Sequence, residues 1–166
     1  MTENQELIFE VNVDYGQDFS AMAETSHCNL GKLVNDWDFP VVGRGQKRFF
    51  LRLENLNHHG SLSRLIGKQE YCFAQIEHAF ALAAQNPEIH RMYSILFPGS
   101  RSTFGEREII CPLLTSVRGG RDIVAYEILN DFSVFHSFIG FIYVNKNEKE
   151  VKSNLLRGAE NSLRLT

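Results

Sequence analysis

The chain has 166 residues, a formal net charge of -3 at pH 7 and 43% hydrophobic residues. A length of about 150 residues is typical of one domain, and this composition excludes disordered, collagen-like and coiled-coil proteins. No segment approaches the roughly 20 apolar residues that span a bilayer, and the polar, acidic N-terminus differs from a signal peptide. We therefore expect one domain at residues 1–145, a polar tail with a short helical pattern at residues 146–166, and no membrane association.

The cysteine content favours a reducing compartment. The chain has three cysteines, an odd number, and no N-x-S/T glycosylation acceptor. We expect free thiols and a cytoplasmic location. The adjacent histidines His58 and His59 would point to opposite sides of an extended chain, which disfavours a metal site there. We expect neither a metal nor another cofactor.

Two segments in the first third of the chain alternate between apolar and polar residues, the pattern of half-buried strands. The first covers residues 6–15 and the second covers residues 47–53. Between them, Asn29 is a candidate cap for a short helix over Leu30–Val34. The region around the second strand is basic, since residues 47–68 carry five bases against one acid.

The strongest helical pattern lies near residues 69–86 and ends at Asn86-Pro87. Phe80 belongs to its apolar stripe and is predicted to face the core. Glu77 belongs to the opposite, polar side and is predicted to face solvent. The pattern therefore predicts one long amphipathic helix that covers one face of a sheet.

From residue 90 onward the spacing of apolar residues becomes that of strands. Strands are predicted at residues 90–97, 106–117 and 122–129, and a Gly-Gly pair is suited to a tight hairpin turn between the last two. The final predicted strand, residues 133–144, is apolar on both of its faces. Both faces should therefore be buried.

Together these elements predict an α+β fold in which five or six antiparallel strands pack one face on the long helix. A single helix covers only one face of the final strand. The other face must be covered by the N-terminal segment or by a second subunit, and we predict a homodimer.

The best candidate ligand site centres on His136, which lies on an apolar face of the final strand together with Phe138. A core histidine is the commoner role for such a residue. Arg101, in a loop with hydroxyls and flanking glycines, and Tyr126 complete the predicted site. The chain has 13 Phe against 5 Tyr, which favours dry packing. We therefore predict a non-enzymatic module that binds a small apolar ligand or a protein partner.

The alternative function is binding of nucleic acid or of an acidic partner through the basic strand. Lys47, Arg48 and Arg52 supply positive charge, and Phe50 between the arginines is a candidate stacking surface. Residues 91–121 add five arginines against two acids. The overall negative charge disfavours a general nucleic-acid binder. No nucleophile, acid and base form a recognisable pattern, so we name no catalytic residue and leave enzymatic activity open.

Overall fold

The computed structural model describes residues 7–58, 62–66, 72–105, 108–117, 119–128 and 137–142. These residues form an α+β fold with one mixed sheet and short helices. The helices are α1 (Phe19–Ser26), α2 (Leu62–Ile66), α3 (Ile76–Gln85) and α4 (Ile89–Met92), with a 3₁₀ turn at Leu56–His58. The strands are β1 (Leu7–Asp14), β2 (Asn29–Leu30), β3 (Gln46–Asn55), β4 (Ser94–Leu96), β5 (Ser102–Phe104), β6 (Glu108–Thr115), β7 (Asp122–Glu127) and β8 (Ser137–Ile142).

Within the described ranges the sheet has eight strands in the order β1-β3-β8-β4-β6-β7-β2, and β5 pairs with β6 outside this order. The prediction of an α+β fold is confirmed, but the prediction of a purely antiparallel sheet of five or six strands is wrong. The β4–β8 and β2–β7 pairs are parallel. The sheet is mixed because β8, late in the chain, inserts between β3 and β4, antiparallel to the first and parallel to the second.

The α3 face of the sheet, defined here as the side that packs on α1 and α3, contains the larger core cluster. The rings of Phe19 in α1 and Phe80 in α3 meet edge to face, with their centroids 5.2 Å apart. Phe80 is 2% exposed, so its predicted core position is confirmed. The strands contribute alternating apolar side chains to this cluster, including Val11, Val13, Leu51, Leu53, Ile95, Leu114 and Ile123.

The opposite side of the sheet, called the α2 face, carries Ile139 and Phe141 of β8, which are buried. Both faces of the final strand are thus filled, as its pattern predicts. The cover comes from the segment between β3 and α3, and neither the N-terminal segment nor a second subunit is needed to bury these two side chains. The covering residues are Leu56, Leu62, Leu65 and Phe73.

The prediction of one long helix near residues 69–86 is wrong, because α3 begins only at Ile76. Residues 72–74, which lie just before α3, pair with β8. The Ala74 N–H donates to the Gly140 carbonyl over 2.9 Å, and the Ile142 N–H donates to the Cys72 carbonyl over 2.8 Å. Backbone groups engaged in this pairing are not free to form a helical turn.

A turn after β4 fixes the start of α3. The Ser100 hydroxyl accepts the Ile76 N–H over 2.8 Å, which satisfies a donor that the first helical turn leaves free. Gly99 packs so closely that an added Cβ would overlap the backbone oxygens of Phe73 and Ala74. The loop that was predicted around Arg101 therefore contains a tight turn, followed by β5.

Three other local predictions differ from the structure. Residues 29–30 form a strand, and the helix lies earlier, where the Asp18 carboxylate accepts the Ala21 N–H over 2.8 Å and caps α1. Residues 90–97 are divided between α4 and β4. The β6–β7 loop is wider than a two-residue turn, because Thr115 pairs with Asp122.

The tail at residues 146–166 lies outside the described residues.

No helix in the described part of the chain is long and apolar enough to cross a membrane.

Candidate functional site

The structure does not bring Phe138 and Tyr126 of the predicted ligand site together. Phe138 lies on the α3 face, with its ring 4.9 Å from that of Tyr93. Tyr126 packs with the cluster on the α2 face. Arg101 is exposed in the turn before β5. His136 lies outside the described residues, so the pocket beside it stays a prediction.

The basic strand is partly neutralised by carboxylates on the same side of the sheet. Arg48 and Phe50 alternate with half-buried Phe49 and buried Leu51, which pack on the α3 face, as predicted. The Arg48 guanidinium lies 3.4 Å from the Glu10 carboxylate, and that of Arg52 lies 2.7 Å from the Glu54 carboxylate. The surface around Phe50 is therefore one of mixed charge.

A cleft of about 200 Å³ lies on the α3 face between the end of β1, α1 and α3. One wall consists of α3 residues at helical spacing, Glu77, Phe80, Ala81 and Ala84. The other walls come from β1, the turn after it and α1, and include Asn12, Val13, Asp14, Gln17, Met22 and Thr25. The cleft thus joins apolar and polar surface.

Glu77 is the most unusual residue of this cleft, because it is a charged residue type that is only 1% exposed. The Tyr15 hydroxyl donates to Oε1 of Glu77 over 3.2 Å. Oε2 is buried without a hydrogen-bond partner in the part of the chain that the structure describes. Burial raises the pKa of Glu77, while hydrogen bonds, including that from Tyr15, act in the opposite direction.

The prediction that Glu77 faces solvent is wrong, because α3 is covered on all sides. Every residue from Ile76 to Ala83 is buried. The sequence does contain a signal for this, since Glu77 and His78 are the only polar residues between Ile76 and Ala84. A helix that is apolar all round is typically buried. The apolar stripe on the Phe80 side led to the prediction that the opposite side of the helix faces solvent, although that side is also buried.

Tyr15 is held in place as the donor to Glu77. The backbone of Gly43 lies against its ring, where an added Cβ would overlap the aromatic carbons. The Lys47 ammonium lies 5.8 Å from the centre of the same ring. Burial, followed by the nearby Glu77 carboxylate, raises the pKa of Tyr15. The phenol therefore stays protonated and commits its hydrogen to Glu77.

His78 is a second buried titratable group on α3, but it does not line the cleft. Its Nδ1 accepts the Gln75 N–H over 2.9 Å, so the ring proton lies on Nε2. Its ring meets that of Phe49 edge to face, with the centroids 4.4 Å apart. Burial lowers the pKa of His78 to about 4, which keeps the ring neutral at pH 7. We assign His78 a structural role at the start of α3.

The end of the cleft is closed by a hydrogen-bonded pair. The Asn12 N–H donates to the Gln85 side-chain oxygen over 3.0 Å, and the Gln85 amide donates to the Asn12 carbonyl over 2.8 Å. These bonds also satisfy backbone groups of β1, which is an edge strand of the sheet. The Gln85 amide oxygen and nitrogen are therefore already engaged.

A second cleft, of about 450 Å³, is lined by the paired ends of β1 and β3, at residues 12–14 and 46–48, and includes Lys47 and Arg48. It contains two of the residues predicted for the alternative function. In the described ranges, no three or more His, Cys, Asp and Glu residues are grouped so as to hold a metal ion.

Comparison with known proteins finds no matching protein-family model, no matching curated protein and no matching solved structure.

Proposed function

We propose that the protein is a non-enzymatic module that binds a small ligand in the cleft between β1, α1 and α3. The observation that carries this proposal is the buried Oε2 of Glu77, which has no donor among the described residues. Leaving a buried acceptor unsatisfied costs about 1–3 kcal/mol. Glu77 lines the cleft, but this oxygen is buried, so a ligand reaches it when the side chain turns toward the cleft. A ligand that donates to this oxygen would recover that free energy. Buried carboxyl groups with a raised pKa are also concentrated at functional sites.

The size and walls of the cleft support a small ligand with one polar end. Its volume is about 200 Å³, and one water molecule occupies about 30 Å³ in the liquid. The cleft therefore offers the space of roughly seven waters. Met22 and Phe80 provide apolar surface beside the Glu77 carboxyl. The ligand that we propose is therefore apolar, as the sequence predicts, except for one polar group that contacts Glu77.

The residues of the cleft support binding over catalysis. Its described lining contains no histidine, cysteine or lysine. Glu77 and Asp14 are its titratable groups, and the described lining lacks the histidine or cysteine on which nucleophilic hydrolytic sites commonly rely.

A fragment screen followed by amide NMR tests the proposal. We expect ligands to shift the signals of the residues that line the cleft and to lose binding in Ala84→Leu, which fills the cleft without changing its charge. Ser20→Leu adds the same side chain at an exposed position of α1 and should keep binding. Shifts located elsewhere, or binding that survives Ala84→Leu, would contradict the proposal.

The homodimer is a separate proposal. Its support now comes from an exposed tryptophan and no longer from the final strand. Ile139 and Phe141 are buried within the chain, so they no longer call for a partner. Trp37 is 91% exposed, on a turn that is closed by a 2.8 Å hydrogen bond between the side chains of Asn35 and Asp38. Exposed tryptophans are enriched at interfaces. Sedimentation equilibrium should show a dimer that Trp37→Ala weakens, and a monomer at high micromolar concentration would remove the proposal.

Nucleic-acid binding gains no support from the charge pairs on β3 and stays a prediction. A cytoplasmic location is also a proposal. It is supported by Cys28, Cys72 and Cys111, which are all free thiols.

A further inference from the structure

We infer that the ligand of the Glu77 cleft carries a protonated amine, which donates to Oε2 of Glu77 while a short apolar chain lies along α3. This inference rests on the proposed function. The supporting observation is that Glu77 is 1% exposed, lines the cleft and has an oxygen without a partner in the described structure.

The hydrogen-bonding capacity left in the cleft favours a donor ligand. The Tyr15 proton is committed to Oε1 of Glu77. The Gln85 amide is engaged with the Asn12 backbone in both directions. The unpartnered Oε2 of Glu77 accepts but, as a carboxylate, does not donate. Asn12, Gln17 and Thr25 also line the cleft, and each has a side chain that can donate or accept. An ammonium group, which has three donors and no acceptor, matches Oε2 of Glu77 and can also donate to these side-chain oxygens.

The charges around the cleft favour a cation over a neutral donor. Two carboxyl groups line it, those of Glu77 and Asp14, and the described lining contains no lysine, arginine or histidine. Burial already disfavours the charged form of Glu77 and raises its pKa. A cation at Oε2 would stabilise the carboxylate form and make a charge-assisted hydrogen bond, which is about twice as strong as a neutral one. An anion would be repelled.

The apolar walls limit the rest of the ligand. Met22 and Phe80 face the cleft, and Ala81 and Ala84 leave space along α3 because their side chains are small. A straight aliphatic chain of a few carbons fits this surface and volume. n-Butylammonium is therefore a suitable probe, since n-butanol and butyrate keep nearly the same chain and change only the head group.

The test measures the affinity of the folded protein for these three probes by NMR titration. We expect n-butylammonium to bind at least tenfold more tightly than n-butanol, and butyrate not to bind. Glu77→Gln should weaken n-butylammonium binding at least tenfold. Glu24→Gln, which removes the same charge from an exposed position on α1, should leave it unchanged.

The outcomes separate this inference from the proposed function. If n-butanol binds as tightly as n-butylammonium and Ala84→Leu blocks both, the cleft binds ligands but the inference of an amine is overturned. If no probe or fragment binds in the cleft, both are overturned. The comparison of probes on the natural chain needs no variant, so it decides the matter even if Glu77→Gln does not fold.

Discussion

The two faces of the sheet are covered by different kinds of side chain. The α2 face is covered by apolar side chains, and the rings of Phe73 and Phe141 meet there with centroids 5.4 Å apart. The α3 face buries a glutamate and a histidine on the helix that covers it. Burying polar groups costs stability unless they are hydrogen-bonded. Each of these two side chains makes one hydrogen bond, His78 with the Gln75 N–H and Glu77 with the Tyr15 hydroxyl. Each also has one buried atom without a partner among the described residues. Only Glu77 lines the cleft, and this position is what points to function.

The largest expected effect concerns the apolar part of the α3 face. Phe80→Ala should lower the free energy of unfolding by about 3–5 kcal/mol, because it removes a buried ring and leaves a cavity. Urea denaturation measures this loss. Leu65→Ala on the α2 face should cost about 2–5 kcal/mol, and exposed Ser20→Ala should change it by less than about 0.5 kcal/mol. A loss below about 1 kcal/mol for Phe80→Ala would show that α3 is not seated as described.

The next effect depends on pH and distinguishes His78 from the apolar residues around it. Burial lowers the pKa of His78 from 6.5 to about 4, so the unfolded chain binds the proton more readily than the folded one. The contribution of His78 to the free energy of unfolding should therefore fall by about 3 kcal/mol as the pH decreases from 6.5 to 4, whereas the raised pKa of Glu77 acts in the opposite direction. Above that window the contribution of His78 is constant.

The variant His78→Gln isolates this contribution. Glutamine at the third helical position can also accept the N-cap N–H, but it does not titrate. Urea denaturation between pH 7 and pH 4 should show a smaller loss of stability in His78→Gln than in the natural protein. Parallel curves for the two proteins would contradict the buried, neutral histidine.

A smaller effect tests the turn that fixes the start of α3. Gly99→Ala should destabilise the protein by about 1–3 kcal/mol through overpacking, because the new methyl overlaps backbone oxygens that cannot easily move. Gly31→Ala is the matched control, since its Cβ would meet Val124 at an ordinary 3.4 Å. Equal melting temperatures for the two variants would show that the turn is looser than described.

The parts of the fold that depend on local pattern could be predicted from the sequence. Alternation located β1 and β3, and the apolar residues on both sides of the final strand indicated that β8 is buried on both faces. The insertion of β8 beside β3 could not be predicted, because this pairing joins residues far apart in the chain. No periodicity specifies which distant strands become neighbours.

The candidate site shows the same limit. Phe80 was placed correctly by its spacing, but Glu77 was placed in solvent because the helical stripe does not reveal what lies on the other side of the helix. The cleft exists only because β1 and α1 pack beside α3, and this packing also brings Tyr15 to the carboxyl group. A titratable residue in an otherwise apolar helix is the signal that could have identified it.

The most direct test of the account is a titration of the Glu77 carboxyl carbon by NMR, with and without n-butylammonium. Without a ligand, burial should keep the pKa of this carboxyl above the ordinary value of 4.5. With n-butylammonium bound, its pKa should fall, because the cation stabilises the carboxylate. A carboxyl that titrates at its ordinary value and does not respond to the amine would contradict the claim that Glu77 is an unsatisfied acceptor in a ligand site.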